Sequence, residues 1–139
     1  MKTKLTLIAA CLLMAAHSAT AQKQLYIPYE WRNPWPADSL LYAESDPTNQ
    51  YTWSKSRSRE SDNVIVYWDK GYGTKAPDEL STSDFYYVDI DFLLQQCENF
   101  ITMNTTRLGF CDPANTKLNH YKVMVLMNHT QTWTCNGSG

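Results

Sequence analysis

Histidine and the usual signatures of catalysis are what this sequence has least of. Three histidines occur among 139 residues, and none is followed by glutamate. The His-Glu-x-x-His helix of zinc hydrolases is therefore missing from the sequence. Gly-x-Ser-x-Gly and phosphate-cradling glycine loops are missing too, and Gly71-Tyr72-Gly73 is too short for anything but a turn. No Cys-x-x-Cys occurs, which removes the closely paired ligands of a zinc knuckle. The formal net charge is −2, with no run of Lys or Arg. A nucleic-acid partner lacks its electrostatic footprint here. Beyond residue 21 no long apolar segment follows, so no transmembrane span is expected.

What is present begins with an export leader. Lys2 and Lys4 form a positive head, residues 5–16 are almost wholly apolar, and Ala19-Thr20-Ala21 places small residues where a signal peptidase reads. The apolar run falls well short of the roughly 20 residues a spanning helix needs. Residues 1–21 thus read as a signal peptide, with a secreted or periplasmic chain starting at Gln22. An alternative takes Ile8-Ala9-Ala10-Cys11 as a lipoprotein box, with the protein anchored through an acyl chain on Cys11. Asn104-Thr105-Thr106, Asn128-His129-Thr130 and Asn136-Gly137-Ser138 match a glycosylation pattern that matters only in a eukaryotic route, whereas the short leader looks bacterial.

Residues 22–62 read as an irregular arm rich in proline and tryptophan. Ile27-Pro28, Asn33-Pro34-Trp35-Pro36 and Asp46-Pro47 interrupt regular structure, because proline lacks a donor and restricts its predecessor. One helical turn is predicted over residues 38–43, and residues 53–62 read as a polar linker.

Two runs are β-branched and apolar: Val64-Ile65-Val66-Tyr67-Trp68, and Tyr121-Lys122-Val123-Met124-Val125-Leu126-Met127. Unbroken runs of this kind predict strands covered on both faces. Between them Tyr86, Ile90, Leu93, Leu94, Cys97, Phe100 and Ile101 recur at the helical period, so a helix capped by Ser83 or Asp84 is predicted to reach about Asn104. Asp84, Asp91, Gln95, Glu98 and Thr102 fall on the opposite side. Strand, helix and strand make a crossover unit joining parallel strands. The fold class is α/β (or α+β), with one long amphipathic helix between two buried strands. Two such strands need layers on both faces, and one helix with an arm supplies less than that. The chain is accordingly expected to be the front part of a longer domain.

Of four cysteines, Cys97, Cys111 and Cys135 follow the leader, an odd number for an oxidising compartment. Cys97 falls in the apolar stripe and reads as a buried thiol, which leaves Cys111 and Cys135 as the pair for a disulfide. His120 and His129 flank the second strand on opposite faces, so they do not share a metal. Asp89 with Asp91 and Asp78 with Glu79 read as solvated acids rather than a hydrolytic pair. Trp31, Trp35 and Trp133 are candidates for stacking on sugar rings, against the plainer reading that Trp31 and Trp35 pin the arm to the body. A glycan or a protein is the partner class left open.

Ser58-Arg59-Glu60-Ser61-Asp62-Asn63 leading into Val64 to Gly73, then Leu108-Gly109-Phe110, Tyr121 to Val125, and Trp133 with Asn136-Gly137-Ser138-Gly139, resemble a secreted bacterial family of unknown function with a zincin-like fold. The resemblance covers residues 53–139 and implies that residues 63–139 are the N-terminal part of that fold. It further implies a later helix carrying two histidines and a glutamate that activates zinc-bound water. That helix would follow Gly139. The resemblance therefore carries no catalytic, cofactor-binding or metal residue onto this chain, and zinc belongs only to a longer protein.

Overall fold

The computed structural model describes residues 22–33 and 41–129. Residues 22–28 form no regular element, and Gln24 bridges to Tyr121 through Gln24 N–H donating to the His120 carbonyl (2.8 Å) and Lys122 N–H donating to the Gln24 carbonyl (3.0 Å). The Lys23 ammonium donates to Asn63 Oδ1 and to the Leu118 carbonyl. Pro28 precedes a single turn, α1 (Tyr29–Arg32), which carries Trp31. Next come β1 (Tyr42–Ala43) and β2 (Trp53–Ser54), a short parallel pair with Tyr42 opposite Trp53. The helical turn predicted over residues 38–43 is thus corrected at its described end. Trp53 N–H donates to the Leu41 carbonyl at 2.7 Å, and pairing that buries Trp53 completely outweighs local helical preference.

The supposed polar linker is corrected as well: β3 (Ser58–Glu60) pairs antiparallel with β4 (Val64–Trp68). Its charges hid it, and each finds a partner. Arg59 pairs with Asp78 and, at 3.1 Å, with Asp91, while Glu60 lies 3.1 Å from both Lys55 and Lys122. β4 is buried along its whole length, as its composition predicted. β5 (Val123–Met127) pairs parallel with β4, Val64 facing Val123 and Trp68 facing Met127. The order is β3-β4-β5, so β5 is an outer strand of the described sheet and is half-buried rather than fully buried. That corrects the expectation of a second strand covered on both faces.

Side-chain alternation divides the core. Ile65 and Tyr67, with Met124 and Leu126 beside them, meet the arm through Ile27, Tyr42, Trp53 and Trp31. Val64 and Val66, with Val123, Val125 and Met127, meet the helix α2 (Ile90–Thr102) through Ile90, Leu94, Cys97 and Ile101. Val64, Ile65 and Val66 have no exposed surface, and burying side chains of this kind contributes about 1.5–3 kcal/mol each.

The helix begins later than its periodicity predicted. Asp89 accepts from Phe92 N–H (2.9 Å) and caps it, whereas Asp84 closes a tight turn onto Tyr86 N–H (2.9 Å). Tyr86 is held outside the helix by packing on His129 and Tyr72. Phe100, placed in the stripe by spacing, is 68% exposed. It lies on the flank of the stripe beyond Leu93. Glu98, expected on the solvent side, turns onto the start of β4, accepting from Asn63 N–H (2.8 Å), Asn63 Nδ2 (2.6 Å) and Ser61 Oγ (2.6 Å). Burial alone would raise the Glu98 pKa, but these donors outweigh it and hold the carboxyl below its usual range. A π-turn (Met103–Arg107) follows α2, where Thr105 Oγ1 donates to the Ile101 carbonyl (2.8 Å) and Gly109 at φ 63° ends the run.

Candidate functional site

Where the arm folds against the start of the sheet, a cavity of about 400 Å³ opens between residues 46–49, 56–59 and 73–79, with Trp68 from β4 in its wall. Its volume lies within the ~300–1,000 Å³ typical of ligand pockets. Asp46 organises one side. Its carboxylate accepts from Gln50 N–H (3.0 Å) and Tyr51 N–H (2.8 Å), and Arg57 Nη1 donates to it at 3.0 Å. Arg57 enters from the 3₁₀ turn (Lys55–Arg57), which Ser54 Oγ caps by accepting from Ser56 N–H. The Asp46 side chain is 0% and the Arg57 side chain 8% exposed. Burial works to raise the Asp46 pKa, yet the two backbone donors and the guanidinium overcome it and hold the carboxyl below the usual aspartate range.

Two side chains in the cavity lining each keep one polar atom unpaired and out of contact with solvent. Arg57 Nε and Asn49 Oδ1 are buried and have no hydrogen-bond partner among the described residues. Asn49 sits at φ 54°, a left-handed conformation that asparagine tolerates, and its Nδ2 donates to the Lys70 carbonyl at 3.0 Å. On the far side Arg59 is held by Asp78 and Asp91, its bond to Asp78 raising its pKa further. Glu79 accepts from Ala76 N–H at 2.7 Å. Gly73, at φ 67°, turns the backbone around the rim.

A second cluster gathers where β4 and β5 end together, the side of a parallel pair on which α/β folds place ligands. Asp69, 1% exposed, accepts from Gly71 N–H (2.8 Å) and from His129 N–H (3.2 Å). The His129 ring lies 4.9 Å from Tyr72 and 3.9 Å from Tyr86, and its Nδ1 is buried with no partner among the described residues. Burial pushes the Tyr72 phenol up, and Asp69 adds to that. His120 is exposed at the opposite end of β5 from His129. Among the described residues no three His, Cys, Asp or Glu side chains are grouped to hold a metal ion.

A profile described as a family of unknown function, DUF6055, matches residues 17–139. The chain belongs to DUF6055. No curated protein and no solved structure matches it.

In this DUF6055 chain the candidates drawn from sequence fall partly outside the described residues. Trp31 stacks on Trp53 with ring centroids 5.7 Å apart and planes 13° from parallel, so one of its faces pins the arm to the core. Trp35, Trp133 and Cys135 lie outside the described residues, as does the leader with Cys11. Cys97 is a half-buried free thiol on the helix side of the sheet, and Cys111 is half-buried beyond the π-turn. Asp89 is a helix cap, and Asp78 and Asp91 are partners of Arg59. No helix among the described residues is long and apolar enough to cross a membrane. Sequence reasoning missed Asp46, Asn49, Arg57 and Asp69. For the first two the signal was at hand: Asp-Pro-x-Asn is turn chemistry that fixes side-chain acceptors in place.

Proposed function

We propose that this DUF6055 chain is an exported, non-catalytic α/β unit, the N-terminal portion of a zincin-like domain. In that reading it supplies a packed sheet and ligand-facing surface while metal chemistry resides in a segment outside residues 22–139. One observation carries the reading: the parallel β4–β5 pair is joined through α2, yet β5 is half-buried along its whole length as an outer strand of the described sheet. A mixed sheet with one strand so placed accepts further structure alongside it. The leader composition of residues 1–21 supports export, and the absence of His-Glu-x-x-His from the sequence supports the lack of catalysis here.

The test uses the secreted chain itself. Amino-terminal sequencing of protein recovered outside the cytoplasm should read from Gln22, and recovery with the leader intact inside the cell overturns export. Plasma-emission analysis of that protein should find zinc well below one equivalent, with no cleavage of unfolded casein. Stoichiometric zinc or peptide hydrolysis by this chain alone overturns the non-catalytic reading.

A further inference from the structure

We infer that the outward face of α2 is a self-association surface, on which a second copy of this chain docks with its own α2 running antiparallel. This goes beyond the reading above and does not depend on it. A helix lying on a sheet ordinarily packs one stripe inward and turns charged groups to water. α2 packs Ile90, Leu94, Cys97 and Ile101 against the sheet, but its opposite side departs from that rule. Phe92, Gln96, Asn99 and Met103 stand at intervals of four, three and four, so they form one exposed row, with Phe100 beside it. Leu108 N–H and Phe110 N–H donate to the Met103 and Asn104 carbonyls (both 2.9 Å), which holds these two exposed residues at the end of the row. From Phe92 to Thr106 the one charged side chain is Glu98, and it is committed to Asn63 and Ser61. Aromatic rings and methionine on a surface depleted of charge are the composition of interface cores.

Size and pattern select the occupant. Phe92, Phe100 and Phe110 are 59%, 68% and 75% exposed, which leaves about 400 Å² of ring surface open to water. Met103 and Leu108 extend the patch to about 550 Å², the upper end of what a monomer exposes. With the amides of Gln96 and Asn99 the face approaches the ~800 Å² that each partner of a standard interface buries. Antiparallel pairing about a two-fold axis between Cys97 and Glu98 sets Phe92 against Met103 of the second copy, and Gln96 against Asn99 of the second copy. Each contact then occurs twice, thioether on ring and amide on amide, as an isologous interface requires. The charged ends agree. Asp91, its side chain 79% exposed, stands at one end and the exposed Arg107 at the other. Antiparallel helices bring these opposite charges together across the axis, whereas parallel helices would set like beside like. A lipid surface fits poorly, because two amides stand mid-row and Arg107 is the one cation between Ile90 and Phe110; interfacial helices are rich in Lys and Arg.

The experiment is sedimentation velocity of the full secreted chain from low micromolar to near-millimolar concentration. The mass should rise reversibly from monomer to dimer. Phe100→Glu places a charge beside the row and should keep the chain monomeric throughout, with the melting temperature of the dilute chain unchanged. Arg107→Glu and Asp91→Lys should each weaken association about tenfold. An equimolar mixture of these two should recover it, because the two replacements face one another only in the mixed dimer. Phe100→Glu decides the matter if Asp91→Lys fails to fold. The inference is overturned if the chain stays monomeric over the whole range, if Phe100→Glu still dimerises, or if the mixture associates no better than either variant alone. Co-sedimentation of the monomer with phosphatidylcholine–phosphatidylglycerol vesicles, lost in Phe100→Glu, would assign the face to a lipid surface and overturn it as well.

Discussion

Replacing Asp46 by alanine tests how the arm is held. The substitution removes the acceptor of two backbone N–H groups and of Arg57 Nη1. It also leaves a guanidinium whose side chain is 8% exposed without its counter-charge. Breaking a buried pair from one side costs about 3–5 kcal/mol. For a domain of this size that lowers the melting temperature by about 10–20 °C, and it consumes much of a total stability of about 5–15 kcal/mol. The assay is urea unfolding followed by far-ultraviolet circular dichroism. Asp46→Ala combined with Arg57→Met should be less damaging than the sum of the two single changes, with a coupling of about 1–3 kcal/mol. Acid provides the second arm. The folded pKa of Asp46 lies below its unfolded value of about 3.9. Its contribution is therefore fully present above pH ~4 and disappears as pH falls through the lower folded value. Asp46→Asn should flatten that part of the acid limb; Glu98, lowered in the same direction, supplies a share of what remains. A cost for Asp46→Ala below about 1 kcal/mol, or strict additivity in the double variant, refutes the reasoning.

Three further outcomes follow from packing. Leu94→Ala, on the inner stripe of α2, should cost about 3 kcal/mol, whereas Phe100→Glu on its exposed flank should change stability by less than about 0.5 kcal/mol; equal costs in urea unfolding would show the helix phase to be wrong. Trp31→Ala removes the ring stacked on Trp53 and should lower stability by about 2 kcal/mol, and a urea midpoint unchanged from the parent would deny the arm its anchor. Gly73→Ala places a Cβ in open space but at φ 67°, so it should cost about 1 kcal/mol through the backbone alone, read as a drop in melting temperature.

The parts of the fold that were legible in the sequence are those whose information is local. Val64 to Trp68 and Val123 to Met127 are apolar in succession, and the stripe from Ile90 to Ile101 repeats at the helical period. β3 was not legible because Ser58–Glu60 carries charges normally read as solvated. Only the folded chain brings Lys55, Asp78, Asp91 and Lys122 against Arg59 and Glu60. The start of α2 was misplaced for a different reason. Both Asp84 and Asp89 have capping chemistry, and Tyr86 sits one helical turn before Ile90, so periodicity does not choose between them. The choice is made by His129, a residue at the far end of the next strand. The cavity has the same character. It is assembled from three separated segments and Trp68, and neither the unpaired atoms of Asn49 and Arg57 nor the spent charge of Arg59 is written in any one of them.

The bridge between Gln24 and Tyr121 has a bearing on how this protein is born. Lys23 and Leu118, in hydrogen-bond contact, are 95 residues apart. A ribosome delivers the first of them long before the second, and loop closure over that span is slow. Ile27 and Trp31, which pack against β4 and β5 in the finished molecule, spend the interval without their full cover. A polypeptide threaded through a membrane pore leading end first would make the whole passage in that unfinished condition, and the knot of arm and sheet would tighten only on the other side.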